Sequence, residues 1–460
     1  MVNFKKNSVV YVMAAFGLVS CSTGGSSTGA GVEGATLFRD VTLIDGKGGV
    51  PAEHMDVLVQ GDTIAAIGKG LDTAKLMVVN LSGKTMMPAL ISSHVHVGNL
   101  KGTTTKGENY TRGNILSQLK KYEDYGVGNV LVMGTDRPMF FSSGLADSVK
   151  NGLLPGARMH SAGYGFGVPA GAPPLDFAMD NVYRPVSAAE VAMQMNELAK
   201  LKPEVVKMWV DDFGGKFTKM KPEIYKAIIT EAHKHGLRVA AHAYYLADAR
   251  QMVKDGLDII GHSIRDSIID NDLVLAMKAK KVVYIPTLSL DEFAYIYARK
   301  PEWIDNPFFK KSLEPGVYEM ITSEKYQNDL KSSPAYAKNV KALDVALRNL
   351  KKLADAGVLI AMGTDSGAMP LRAQGFSEHL ELELMVQAGL TPLQVIGIAT
   401  KNGAEVLKID KNFGTLEKGK IADLLILDGD PLQDIRNTRK INSVYKAGKE
   451  VSKGPLALNK

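Results

Sequence analysis

Eight short apolar runs, at 90–96, 129–134, 157–162, 204–210, 237–243, 257–262, 281–287 and 358–365, alternate with segments of helical periodicity. Strands joined through helices run parallel, and a parallel sheet needs both faces covered. Eight such units suggest an α/β fold of the (β/α)8 TIM-barrel type. The unit "KPEIYKAIITEAHKHGLRVAAHA" shows the pattern most clearly. Pro222 stands near a helix start, apolar residues recur at helical spacing, Gly236 stops the helix, and a β-run follows.

Both flanks of this region have another texture. Residues 36–88 alternate apolar and polar residues between Gly, Asp and Pro, as half-exposed strands do, and "GTLEKGKIADLLILDGD" and "INSVYKAGKEV" return to it near the other end. The expected organisation is a barrel over 89–403 and one small β-sandwich built from 36–88 together with 404–452, followed by a tail at 453–460. Two insertions stand out in the barrel, a Gly/Pro loop at 163–174 and a helical stretch at 288–345 rich in Tyr and Lys.

In such a barrel the active site lies at the C-terminal ends of the strands. The polar residues expected there are His94 and His96 on run one, Lys207 on run four, His242 on run five, His262 on run six and Asp365 on run eight. Residues i and i+2 of a strand share a face, so the "HVH" spacing aims two imidazoles into one volume. Singly, each histidine reads as a hydrogen-bonded core residue, Lys207 as a side chain reaching for water, and Asp365 as a helix cap. Jointly they form a nitrogen and oxygen donor set of the kind divalent zinc takes when thiolates are absent. The other histidines fit structural roles: His233 and His235 near a helix end, His379 on a helix beyond run eight, His54 in the β-region, and His160 without a ligand-spaced neighbour.

The first residues read as an export signal. Lys5 and Lys6 precede an apolar run from Val9 to Leu18 that is short for a bilayer span. "LVSC" at 18–21 resembles a bacterial lipobox, which implies a signal peptide at 1–20, lipidation of Cys21, and a flexible Gly/Ser tether at 21–35. Ser22 after the cysteine implies, by the same resemblance, an outer-membrane lipoprotein facing the periplasm. Cys21 is the only cysteine, so no intrachain disulfide can form. The formal charge is +6, falling by the two lysines to +4 without residues 1–20, and no long basic run offers a nucleic-acid footprint.

The HxH pair, the strand-four lysine, the two later histidines and the Asp of "GTDSG" resemble the amidohydrolase superfamily, in its imidazolonepropionase-like and prolidase-like branch. "GKTMMPALISSHVH" is similar to that branch's entry into the barrel and "GTLEKGKIADLLIL" to its return into the sandwich. The resemblance implies two divalent metal ions, zinc by ligand chemistry. His94, His96 and Asp365 would hold one, His242 and His262 the other, and a carboxylated Lys207, the CO2 adduct of the amine, would bridge both. It further implies Asp365 as the proton-transferring residue. Three positions depart from the branch: Ala89 replaces a glycine, Ser92 stands where an acid is often found, and the loop after run three lacks a histidine, leaving Tyr164 as a substitute contact.

The resulting expectation is a zinc-dependent amidohydrolase acting on an amide or peptide-like bond of a small molecule, an N-acyl amino acid or dipeptide. Tyr244, on the His242 face if that strand continues, and Arg265 are candidates for a substrate carboxylate, unless Arg265 is spent on Asp266 or Asp211. A lactonase would use the same groups, and a deaminase or cyclic-amide hydrolase usually works with one metal, against which Lys207 argues. The full ligand set disfavours a non-catalytic lipid-anchored binding protein. A homo-oligomer is compatible with all of these. Cys21→Ala should abolish fatty-acid labelling of the exported protein, and undiminished labelling would contradict the anchor.

Overall fold

The computed structural model describes residues 34–457 apart from 75, 176, 177 and 179. The signal segment and Cys21 lie outside the described residues. Along the chain the strands are β1 (Ala35–Leu43), β2 (Ala52–Gln60), β3 (Thr63–Gly68), β4 (Met77–Asn80), β5 (Thr85–Pro88) and β6 (Leu90–Val95). A small hairpin follows, β7 (Leu100–Lys101) and β8 (Thr104–Thr105), then β9 (Val127–Val132), β10 (Arg158–Ser161), β11 (Val206–Trp209), β12 (Val239–His242), β13 (Ile259–Gly261) and β14 (Val283–Ile285). The last three are β15 (Leu424–Leu427), β16 (Ile441–Lys446) and β17 (Lys449–Ser452). Among the described residues no helix is long and apolar enough to cross a membrane.

The two flanks do meet in one mixed sheet, ordered β17-β16-β15-β5-β1-β2-β3 with β4 beside β1. Its period of two separates its faces. Met86, Leu424 and Ile426 pack with Phe38, Val41, Val57 and Val59 in a core of their own, whereas Met87, Leu425 and Leu427 join the main core.

The strands between form two parallel sheets, β10-β9-β6 and β11-β12-β13-β14. Single parallel bridges, Phe166↔Met208, Tyr284↔Ile360 and Val95↔Ser366, connect segments flanking them. The eighth apolar run forms no regular strand, contrary to expectation. The N–H groups of Thr364 and Asp365 both donate to the His94 carbonyl, at 3.0 and 2.9 Å, and Asp365 has a left-handed φ of 58°. Two consecutive donors on one acceptor interrupt a ladder, although Ser93 N–H to Met362 O (2.7 Å) and His96 N–H to Ser366 O (2.8 Å) keep this run beside β6.

Helices supply the crossovers, and several begin where side-chain chemistry dictates: Ser187 accepts from Glu190 N–H at 3.3 Å and Asp270 from Leu273 N–H at 2.9 Å. Proline opens the helix Pro222–Lys234, and Gly236, at φ 69°, follows its end. Ile91, Leu131, Val205, Ala240, Ile259, Val283 and Ala361, one from each of seven runs, pack into one interior cluster floored by Ala404, Val406 and Leu407. Lys207 and His242 each stand two residues after a member of that cluster, so strand periodicity turns them toward the same interior.

The mixed sheet is tied to the parallel sheets by a buried ion pair between Arg158 of β10 and Asp423, just before β15. Asp423 Oδ1 also accepts Ala447 N–H at 2.8 Å. Removing one partner strands the other charge, so Asp423→Ala should lower stability by about 3–5 kcal/mol. Chemical denaturation checks this. A loss under about 1 kcal/mol, typical of an exposed pair, would show the contact to be dispensable.

Candidate metal centre

His94 lies within β6 and His96 just beyond it, both buried. His96 Nε2 is 2.9 Å and His94 Nε2 3.2 Å from Asp365 Oδ1. One ligand atom from each of these three residues falls within 4.8 Å of the other two. The His94 ring also adjoins His262, with centroids 4.5 Å apart, and His262 adjoins His242 at 4.2 Å. The structure thus brings four histidines and the aspartate of the expected set into one contiguous group.

Lys207 on β11 is fully buried, and its Nζ has no hydrogen-bond partner among the described residues. Nor do the two ring nitrogens of His94 make a hydrogen bond there. Close approach is permitted by glycine. A Cβ on Gly134 would lie 2.8 Å from Lys207 Cβ, and one on Gly363 2.7 Å from His94 Cβ.

Burial and the Lys207 charge push the His94 imidazole down to about 3. Burial likewise lowers His262, well below the usual imidazole range, and His242. Burial takes Lys207 down to about 7, with Asp365 opposing. For Asp365 burial favours protonation, but Arg372, His96 and His94 outweigh it and hold the carboxyl well below its ordinary value. Burial thus favours the neutral imidazole at His94, His242 and His262, and the neighbours of Asp365 favour its ionised form, the states in which each donates to a metal.

Residues 85–451 match the amidohydrolase family. The chain belongs to that family. Among curated proteins it is similar to the ochratoxinase of Aspergillus niger, at 24% identity over 91% of this chain and 87% of that one. It is also similar to the imidazolonepropionase of Shouchella clausii, at 23% identity over 89% and 88%. Among solved structures, a Xaa-Pro dipeptidase with methionine bound in its active site superposes with a TM-score of 0.71 at 24% identity, over 90% of this chain and 99% of that one. Family and structural neighbours together imply a TIM-barrel-type α/β fold and support assignment as a hydrolase.

Around the candidate ligands stands a layer that sequence reasoning missed. His96 Nδ1 pairs with Thr135 Oγ1 at 2.9 Å, His242 Nε2 with Asp211 Oδ2 at 3.1 Å, and His262 Nδ1 with Thr287 Oγ1 at 2.8 Å. Such partners fix ring orientation in metal sites. Arg372 forms an ion pair with Asp365 Oδ2. Ser92 is not left unsupported by the missing acid on its own strand: its hydroxyl donates to Glu378 Oε1 at 3.2 Å. The same oxygen accepts from Thr364 (2.6 Å) and Ser366 (2.9 Å), and Oε2 accepts Gly375 N–H (2.9 Å). Glu378 thereby braces residues flanking both His94 and Asp365.

Of the expected substrate contacts, Tyr244 and Arg265 are brought together. β12 ends at His242, so Tyr244 lies past the strand rather than on its continuing face. Arg265 is spent on neither Asp266 nor Asp211. Its Nε lies 2.8 Å from Asp291 Oδ1, and its guanidinium stacks over the Tyr244 ring at 4.7 Å. Tyr164 packs edge-on against Phe141 and Tyr183, each at 5.8 Å. His379 is held between Thr438 Oγ1 and the Tyr125 carbonyl, and His160 lies beside Asn129 and Glu204, both structural positions.

Glu378→Ala would strand the Ser92 hydroxyl and the Gly375 N–H and leave the Thr364, Ser366 and Tyr122 hydroxyls only one another, so it should cost about 3 kcal/mol, against about 1 kcal/mol for Ser92→Ala, which removes a single donor. Equal losses on thermal denaturation would mean that Glu378 is not the hub of this network.

Proposed function

We propose that this chain is a metal-dependent hydrolase that cleaves a C–N amide or peptide-like bond in a small substrate of the N-acyl amino acid or dipeptide type. The observation that carries the reading is the convergence of His94, His96 and Asp365 beside a buried Lys207 whose Nζ lacks a hydrogen-bond partner among the described residues. In this reading the two parallel sheets are arcs of one (β/α)8 barrel, and the mixed sheet with its own core is the small sandwich domain. The lipid anchor at Cys21 would hold the enzyme at the outer membrane.

The residues present fit zinc. Neutral imidazoles and a carboxylate are its donors, and the His94 nitrogens are buried without a hydrogen bond among the described residues, Nε2 facing Asp365 Oδ1 at 3.2 Å. An ammonium at Lys207 has donors only and would repel cations. As an amine, Lys207 can attack CO2 and lose one proton, giving an anionic carbamate with two oxygens. His94, His96 and Asp365 would hold one ion, His242 and His262 the other, and carboxylated Lys207 both. When bound, such ions supply Lewis acidity to a carbonyl and acidify water.

The chain's own groups do the rest. Asp365, kept ionised by Arg372 and the two histidines, takes a proton from the attacking water and returns it to the departing nitrogen. Tyr244 and Arg265 receive the substrate's carboxylate, with Asp291 anchoring the guanidinium and Lys338 also approaching the Tyr244 ring, at 5.1 Å.

Lys207→Ala should lose metal and turnover together, with partial recovery in formate or acetate. Full turnover with unchanged metal content would remove the bridge from this account. In a panel of N-acyl amino acids, dipeptides, lactones and cyclic amides, substrates with a free carboxylate should outpace their C-terminal amides. A lost charge-assisted contact of about 1.5–3 kcal/mol corresponds to roughly ten- to a hundredfold in kcat/KM. Equal rates would dismiss the carboxylate pocket, and preference for lactones would dismiss the amide assignment.

A further inference from the structure

The short helix Leu288–Phe293 begins at Thr287, yet Thr287 does not cap it. A threonine in that place ordinarily turns its hydroxyl onto an N–H of the first turn. Here Thr287 sits at φ 51° and ψ 48°, a left-handed conformation that a β-branched residue rarely adopts, and its Oγ1 is directed at His262 Nδ1, 2.8 Å away. The donors that Thr287 abandons are met from a distant part of the chain. Glu381 Oε1 accepts Leu288 N–H and Oε2 accepts Ser289 N–H, both at 2.7 Å. Glu381 is fully buried on the helix Phe376–Gln387. It stands one turn beyond Glu378, which braces the His94 and Asp365 segments.

We infer that Glu381 is a positioning residue: by capping the helix Leu288–Phe293 in place of Thr287, it frees the Thr287 hydroxyl to fix the ring of His262. The pairing is specific for a carboxylate. Each oxygen meets one N–H, so an amide at this position would turn an NH2 group against one of the two donors. Fixing the ring does not depend on metal. Its consequence for metal binding rests on the proposed function, in which His262 is a ligand, and one helix then governs both halves of the site through acids one turn apart.

The test has two readouts. In metal-free protein with 15N-labelled histidine, the His262 resonances, assigned by their loss in His262→Asn, should report a single tautomer. Glu381→Gln and Thr287→Val should both give averaged shifts, and Thr287→Ser, which keeps the hydroxyl, should retain the single tautomer. Titrated with Co2+, Glu381→Gln and Thr287→Val should bind roughly 10–100-fold more weakly at one site. A folded Glu381→Gln with wild-type His262 shifts overturns the inference. Should that variant not fold, wild-type shifts in Thr287→Val overturn it equally. If the shifts respond as expected while the wild-type chain binds no Co2+, the positioning role stands and the metal assignment falls.

Discussion

A lysine amine, Lys207, buried without a hydrogen-bond partner among the described residues is the constraint around which the candidate site is arranged. Desolvation of an ammonium is expensive unless the charge is paired or removed. Lys207 lies beside imidazoles that burial keeps neutral, and the one carboxylate acting on it, Asp365, is already paired with Arg372. In the function proposed above, what would relieve such a group is carboxylation to an anionic ligand. What places Lys207 there is the strand period that turns it inward, Gly134 that admits its stem, and the apolar cluster beneath it.

Rings and carboxylates in a dry interior also need their orientation held, since a misdirected donor gains nothing from proximity. Thr135, Asp211 and Thr287 each take one nitrogen of a histidine, and the second nitrogen of His96 meets Asp365 Oδ1. All three partners sit shortly after strands, beyond β9, β11 and β14. The left-handed backbones of His262, Thr287 and Asp365 lie in the same neighbourhood. Such conformations persist where the surroundings over-determine them, and buried carboxylates on the helix Phe376–Gln387 accept hydrogen bonds beside two of the three.

How much of this was legible in the sequence depended on the range of the interaction. The ligand candidates follow from a local signal, polar residues at the ends of apolar runs, because a strand's period of two is fixed by its backbone. Strands in both flanks were legible for the same reason; their shared texture suggested one β-sandwich, and they pair in one mixed sheet. The eighth run misled, because nothing in "LIAMGTDSG" announces that two consecutive N–H groups turn onto the His94 carbonyl. Glu378 and Glu381 escaped notice since their partners are up to 286 residues away. Their helix is buried nearly all round, so "SEHLELELM" offers no polar face to interpret. The visible hint was acids one turn apart with no lysine or arginine beside them. The acidic partner of Arg265 was misread because it is Asp291, beyond β14, and neither of the acids nearer in sequence.

The central claim is that these six side chains form a two-metal centre bridged by a modified lysine. It is tested most directly by counting metal in the purified chain after loading with zinc and bicarbonate, in parallel with mass measurement of the intact, undenatured protein. The account predicts two zinc ions per chain and a mass increment for one CO2, both lost in Lys207→Ala. A reproducible single equivalent with full hydrolytic activity and no CO2 adduct would contradict it.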